Sequence, residues 1–374
     1  MSSQPHLLLV GGGTAGHVNP LLATAAKLQA SGARVSVLGG DTGLEKDLVP
    51  AAGLPLHTVE RVSAPRSINA DTFTFPARLR RVIKDVDALV EELSVDAIVG
   101  FGGYVSAPAY WVGKRRHLPV VIHEQNARPG LANRVGAKWA HTVAVTFPGT
   151  PLEAKRGRSL TTGLPLRADI ENYAAADADQ RQQWRQRAAR SFGLDPQLPT
   201  VLVTGGSLGA QRLNESVAGA ATRISESAQV LHLTGKGKAE AVRADLDKAQ
   251  LTHPWEVREY CEDMVSALAV ADLVVCRAGA GTVAELSAIG MPAIYVPLAI
   301  GNGEQKLNAR SHVESGGAVL IENASFDRDV AAREITDIIA NEQRLVQMRQ
   351  NSARLGGSQA AVTFAKLCLE AAAS

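Results

Sequence analysis

The feature that most constrains this fold is a device used twice. The apolar run HLLLV, residues 6–10, empties into GGGTAGHVNP, Gly11 to Pro20. Far downstream TVLVT, residues 200–204, empties into GGSLGAQRLN in the same way. An aliphatic run, a glycine turn and a helix-compatible stretch form the opening step of a parallel sheet, so a chain that takes the step twice opens two sheets. Each opening starts a series of the same kind. RVSVLGG, VDAIVGFGG, PVVIHE and HTVAV follow the first; QVLHLTG, WEVREY, ADLVVCRAG, PAIYVP and GAVLI follow the second. The expected fold class is α/β, with two Rossmann-like domains of parallel sheet. A length of 374 residues agrees, because it exceeds what one core normally organises. So do 34 glycines against a 4% aromatic share, a balance suited to many tight turns around aliphatic cores.

Several classes are excluded by composition. With 39 Lys+Arg against 37 Asp+Glu, the global field of a nucleic-acid-binding protein is absent, so anion recognition must be local. Cys261, Cys276 and Cys368 are odd in number and lack C-x-x-C spacing, which argues against a disulfide framework and a zinc site and fits a reducing cytoplasm. The apolar run near the N-terminus falls well short of the roughly 20 residues that span a bilayer, so any membrane contact is expected at the surface. The Pro- and Gly-rich stretch from Phe147 to Asp169 reads as an interdomain linker. The polar stretch from Ala174 to Arg190 reads as a solvent-exposed helix, and the residues from about 358 onward as one more apolar helix.

The chemistry is expected where glycine loops follow strands, because in such sheets ligands gather at the carboxyl ends. Gly11, Gly12, Gly13 and Gly16 place flexible backbone at a helix N-terminus, where peptide N–H groups and the helix dipole favour an anion; a bare tight turn explains that cluster equally well. No G-K-[ST] follows, so it is not a Walker A loop. His17 at its mouth titrates near neutrality and is a candidate general base, or else a residue that orients the helix start. GFGGYVSAP, with Gly102, Gly103 and Tyr104, is a further glycine turn, and HEQN, His123 to Asn126, ends an apolar strand with polar groups that packing does not require. In the second series, GGSLGA adds Ser207 as a donor. CRAGAGTVAEL brings Arg277 and then Glu285, a carboxylate able to accept from both hydroxyls of a ribose, with simple helix-dipole placement as the plainer reading. GNGEQ adds Glu304 and Gln305, suited to sugar hydroxyls that both donate and accept.

GGGTAGHVNP, GFGGYVSAP, HEQN, GLPLR, GGSLGA, CRAGAGTVAE and GNGEQ, in this order and spread over the whole chain, closely resemble the bacterial N-acetylglucosaminyltransferases of peptidoglycan synthesis, the MurG family within glycosyltransferase family 28. The resemblance implies a GT-B fold: residues 1–165 as an acceptor- and membrane-binding domain, residues 166–357 as the domain that binds UDP-N-acetylglucosamine, and the helix 358–374 packed back on the first. It implies transfer of N-acetylglucosamine to a lipid-linked muramyl-pentapeptide, lipid I to lipid II, at the cytoplasmic face of the cell membrane and in association with cell-wall synthesis proteins. Donor binding would involve Thr14, Gly16, Asn126, Arg167, Ser207, Cys261, Ala280, Glu285, Glu304 and Gln305; acceptor binding would involve Gly13, His17, Tyr104 and Asn126. The chain departs from the common pattern at GLPLR, where many relatives read G-N-P-V-R, and at GNGEQ, where they read D-x-x-Q-Q.

The expected chemistry is direct displacement with inversion, with His17 or Glu124 as the base. Helix N-termini and Arg167, instead of a metal, would meet the charge on the departing diphosphate. No cofactor is expected, since the D-x-D spacings Asp85/Asp87 and Asp327/Asp329 fall in helical patterns and not at strand ends. Leu131, Val135 and Trp139 recur every four residues, which predicts one helical face, with Arg134 and Lys138 alongside, that can rest on an anionic leaflet; a core role for Leu131 and Val135 is the competing reading. A UDP-sugar 2-epimerase and a noncatalytic nucleotide-binding scaffold are rival readings. A Rossmann dehydrogenase is a third, weakened because VSVLGG ends in glycine where a ribose-binding acid belongs.

Overall fold

The computed structural model describes residues 4–62, 70–206, 209–298, 303–357 and 359–374. The chain forms two compact units, Met1–Ala168 together with Gln359–Ser374, and Asp169–Ser358.

The first unit is built on seven parallel strands: β1 His6–Val10, β2 Arg34–Gly40, β3 Leu56–Val59, β4 Ala97–Gly100, β5 Val120–Glu124, β6 Thr142–Val145 and β7 Arg158–Thr161. They lie in the order β3-β2-β1-β4-β5-β6-β7, so the order reverses direction between β1 and β4. Strand β1 is buried throughout and alternates with period two. Leu7 and Leu9 face the helices Ala15–Ala30 and Ala360–Ala372, while Leu8 and Val10 face the helices Ala70–Glu92 and Ser106–Arg116. At about 1.5–3 kcal/mol for each fully buried Leu or Val, such a strand has little freedom to slip.

One expectation fails here. The stretch 147–169 is not only a linker: Arg158–Thr161 pairs with β6 as the sheet's edge strand, Val143 opposite Ser159. Its side chains are largely exposed, as an edge strand tolerates, and that polarity hid it. Residues 360–372 join the first unit, where Phe364 meets Phe101 edge-on at 5.7 Å and His123 at 4.9 Å. Glu370 accepts from Arg158 at 2.6 Å.

The second unit holds β8 Thr200–Thr204, β9 Gln229–Leu233, β10 Trp255–Arg258, β11 Leu273–Cys276, β12 Ala293–Tyr295 and β13 Ala318–Leu320. All are parallel, in the order β10-β9-β8-β11-β12-β13. The stretch 174–190 is split between the helices Ala168–Ala175 and Ala178–Phe192, the second opened by a capping box of Asp177 and Gln180. Its arginines are not merely solvated. Arg185 donates to the carbonyls of Pro196, Val270 and Leu198 and to Asp272, pinning the helix to the start of the sheet.

Candidate active site

Loops from β1, β4 and β5 leave the first sheet at its carboxyl edge. The helix after β1 starts with no side-chain cap, and Thr14 at its N-cap is extended and exposed. Within this loop His17 turns its Nδ1 toward the carbonyl oxygen of Gly12 at 3.1 Å and the hydroxyl of Thr14 at 3.2 Å. A carbonyl only accepts, so Nδ1 carries the proton and Nε2 holds the lone pair. Nε2 faces Gly102, where a Cβ would lie 3.4 Å from it, and Gly102 has φ +89. Burial lowers the His17 pKa. The carboxylates of Glu124 and Glu45 and the Gly12 carbonyl work in the other direction without overcoming it. The ring is therefore biased toward its neutral form, with Nε2 as the acceptor nitrogen.

Glu124, the second base candidate, is placed differently. It is 2% exposed, with Oε1 accepting from the Asn126 backbone at 3.0 Å and Oε2 from the Gly130 backbone and the Asn133 amide, both at 2.9 Å. Both oxygens are thus engaged in shaping the 124–130 loop. Proton abstraction there would dismantle that loop, so the geometry favours His17. Asn133 also accepts from the Tyr110 hydroxyl at 2.7 Å, and Gly100 is the residue that lets this tyrosine in, since a Cβ there would lie 2.0 Å from its oxygen. Tyr104 is 41% exposed beneath the guanidinium of Arg61, 4.8 Å from its ring centroid. Asn126 is half-buried in the loop after β5, while Gly13 in the β1 loop and Gly16 in the first turn of the helix Ala15–Ala30 are exposed.

In the second unit the glycine turns recur with a different filling. After β8, Gly205 and Gly209 admit close backbone, Gly209 lying where a Cβ would be 2.1 Å from the Thr234 carbonyl, whereas Gly206 faces open space. Ser207 lies outside the described residues. After β11, the helix Ala280–Ile289 begins at Gly279 with no side-chain cap, and Gly281 has nothing within 4 Å of a Cβ position. Ala280 opens this helix and Glu285 lies half-buried in its second turn. Arg277 acts as a clamp through Nη1, donating to the carbonyls of Val296 at 2.8 Å and Pro297 at 3.2 Å and to the Asn323 side chain at 2.7 Å. Cys261 is buried, its thiol donating to the Asp263 carbonyl. Gln305 Oε1 accepts from the Leu298 backbone at 2.9 Å, and Glu304 stands beside it on the first turn of the helix Glu304–Glu314. Arg167 is half-buried at the edge of the first unit.

Residues 7–145 match the N-terminal domain of glycosyltransferase family 28, and residues 200–367 match its C-terminal domain. The chain belongs to glycosyltransferase family 28. It is 43% identical to a UDP-N-acetylglucosamine–N-acetylmuramyl-(pentapeptide) pyrophosphoryl-undecaprenol N-acetylglucosamine transferase of Bifidobacterium longum, over 98% of each chain. It is 44% identical to the protein of the same name from Cutibacterium acnes, over 99% of this chain and 98% of that one. The crystal structure of Acinetobacter baumannii MurG superposes with a TM-score of 0.79 at 28% identity, covering 98% of this chain and 99% of that one.

The helical face expected of Leu131, Val135 and Trp139 is corrected by the structure. The helix bearing Leu131 ends at Gly136, so Trp139 lies in the turn beyond it and is half-buried, its indole donating to the Tyr110 carbonyl at 3.2 Å. Leu131, Val135 and Trp139 therefore do not form one helical face. Leu131 is 65% exposed, Val135 half-buried, and Arg134 and Lys138 exposed. The aromatic part is completed by Trp111, missed in the sequence, which is 43% exposed and meets Trp139 edge-on, with Lys114 4.9 Å from both rings. The Trp111 and Lys114 spacing of three on one helix was the available signal. Among the described residues no helix is long and apolar enough to cross a membrane.

Proposed function

We infer that this chain is an inverting hexosyltransferase of peptidoglycan synthesis. It moves N-acetylglucosamine from its UDP derivative to the 4-hydroxyl of the muramyl residue of undecaprenyl-pyrophosphoryl-N-acetylmuramyl-pentapeptide. The observation that carries the reading is near-complete coverage by relatives named for this reaction at 43% and 44% identity. In the reaction the acceptor oxygen forms a bond to the anomeric carbon as the bond to the diphosphate oxygen breaks. The electron pair leaves with UDP, and the hydroxyl proton passes to Nε2 of His17. Supporting the role of His17 is the Nδ1 contact with the Gly12 carbonyl, which leaves the opposite nitrogen ready to accept. The uncapped start of the helix Ala280–Ile289 supports diphosphate binding there, with Glu285 on the ribose and Gln305 and Glu304 on the sugar.

The reaction is proposed to need no divalent ion. Asp85 and Asp87 lie within the helix Ala70–Glu92, where Asp87 holds Arg115 and Arg116, and Asp327 caps the helix Arg328–Ile339. Both D-x-D pairs thus have structural duties. Transfer of radiolabelled N-acetylglucosamine to a synthetic lipid I analogue in the presence of chelator tests donor, acceptor and metal together: product is expected, and its absence with chelator but not with magnesium would restore a metal. We also propose that the enzyme works as a peripheral protein on an anionic leaflet through Trp111, Leu131, Lys114, Arg134 and Lys138. Flotation with liposomes containing anionic lipid should carry it up, and failure to float with any composition would remove that surface.

A further inference from the structure

The first glycine loop is not an empty anion hole: it already contains a carboxylate of the protein's own. Glu45, 1% exposed, reaches under the loop from the helix Glu45–Ala51, its Oε2 accepting from the Gly13 N–H at 2.8 Å and its Oε1 from the Gly40 N–H at 3.0 Å. Three glycines make room for it. A Cβ on Gly12 would lie 2.3 Å from Oε1, one on Gly39 2.8 Å from Cγ, and one on Gly43 2.4 Å from Oε2.

The Gly13 N–H and the Gly12 C=O belong to the same peptide group. That carbonyl is the acceptor for Nδ1 of His17 at 3.1 Å. An unbroken line therefore runs from the Glu45 carboxylate through one peptide plane to the imidazole. We propose that Glu45 is the positioning residue of this site, fixing and polarising the 12–13 peptide so that its carbonyl holds His17 in the Nδ1–H tautomer. A planar peptide allows this because its two ends cannot turn independently, and a charge on the N–H end makes the carbonyl a stronger acceptor. The arrangement does what a carboxylate does when it touches a catalytic histidine directly: it selects the tautomer and steadies the imidazolium once the proton arrives. The same filling means that the Gly13 N–H is not available to a substrate phosphate.

Two carboxylates face His17, Glu45 from beneath the loop and Glu124 from the end of β5, and both favour its protonated form. The inference rests on His17 being the base, so its test has an arm that needs no substrate. In 15N-histidine-labelled protein at pH 7.5, the His17 ring should be the Nδ1–H tautomer; an Nε2–H tautomer overturns the proposal whether or not transfer is detected. Glu45→Gln keeps the shape and removes the charge, with Glu124 untouched. Expected are a fall in kcat of about 10- to 100-fold, an unchanged KM for UDP-N-acetylglucosamine, and an acid limb of the pH–rate profile displaced to lower pH. Glu45→Asp, which keeps the charge, should recover part of the loss. A Glu45→Gln enzyme with unaltered kcat, or with reduced kcat but an unmoved acid limb, would overturn it. If Glu45→Gln does not fold, the tautomer in the unsubstituted protein decides alone. An inactive protein with the expected His17 tautomer would count against the transferase reading and not against the role of Glu45.

Discussion

The β1 and β11 loops answer the same local problem in opposite ways. Both join a buried parallel strand to a helix whose first turn has no side-chain cap. In the first unit the space under the loop is occupied by Glu45, and the glycines at 12, 39 and 43 are bare because that carboxylate needs the room. In the second unit, Gly281 has nothing within 4 Å of a Cβ position among the described residues. A glycine-rich βα turn thus leaves room whose use differs: an internal carboxylate fills it in one case, and under the proposed function the backbone is left to the donor diphosphate in the other. The contrast fits a reaction in which one partner contributes an uncharged hydroxyl and the other leaves with negative charge.

The harshest test of this contrast is His17→Ala. It should lower kcat by about 10² to 10⁴ while UDP binding measured by calorimetry stays intact; equal loss of both would erase the division of labour. Next, Glu285→Ala should weaken UDP-sugar affinity by about 10- to 100-fold, the scale of a charge-assisted hydrogen bond, with little change in the His17-dependent pH profile. Paired glycine substitutions sharpen the comparison further. Gly12→Ala drives a methyl against Glu45 and should cost about 1–3 kcal/mol in denaturant unfolding. Gly281→Ala meets no protein atom and should be neutral or stabilising by up to about 1 kcal/mol, yet raise the KM for the donor. Normal donor affinity in Gly281→Ala would mean that no ligand approaches there.

A further test concerns acid. Burial depresses His123 and His312 to about 4 and His232 to about 3. The unfolded chain binds these protons from about pH 6.5, whereas the folded units refuse them until much lower pH. Stability present above pH 6.5 is therefore lost progressively as pH falls toward 4. Thermal midpoints should decline smoothly across that window, and replacing His232, the deepest shift, should flatten the decline; an unchanged profile would show that these rings titrate normally.

Fold and function were legible in the sequence because they rest on order and repetition. Strand–glycine–helix units state a parallel sheet whatever their details, and seven motifs in fixed order leave few families to choose from. His17 was singled out for the same reason, standing inside a motif. What escaped depended on contacts distant in sequence. Glu45 ends the stretch GGDTGLE, and only the fold puts it under residues 12 and 13. Glu124 looked like a base because a carboxylate at a strand end is chemically apt, but its three donors come from positions two, six and nine residues downstream. Trp139 was placed on a helix by periodicity alone, and periodicity does not reveal that the helix stops at Gly136. Edge strand β7 lacked the apolar run that announced the others, since an edge has less to bury.

The helix Ala360–Ala372 bears on how the chain is made. Phe364, Ala365, Leu367, Cys368 and Ala371 complete a hydrophobic layer whose other members are supplied by residues before 161. A ribosome that has finished that earlier part must still produce all of Asp169–Ser358 before the missing piece emerges. At 5–20 residues per second the delay is roughly 10 to 40 s. For that interval Phe101 and His123 lack their aromatic lid, and the nascent amino-terminal lobe leaves open an apolar surface that the finished chain covers.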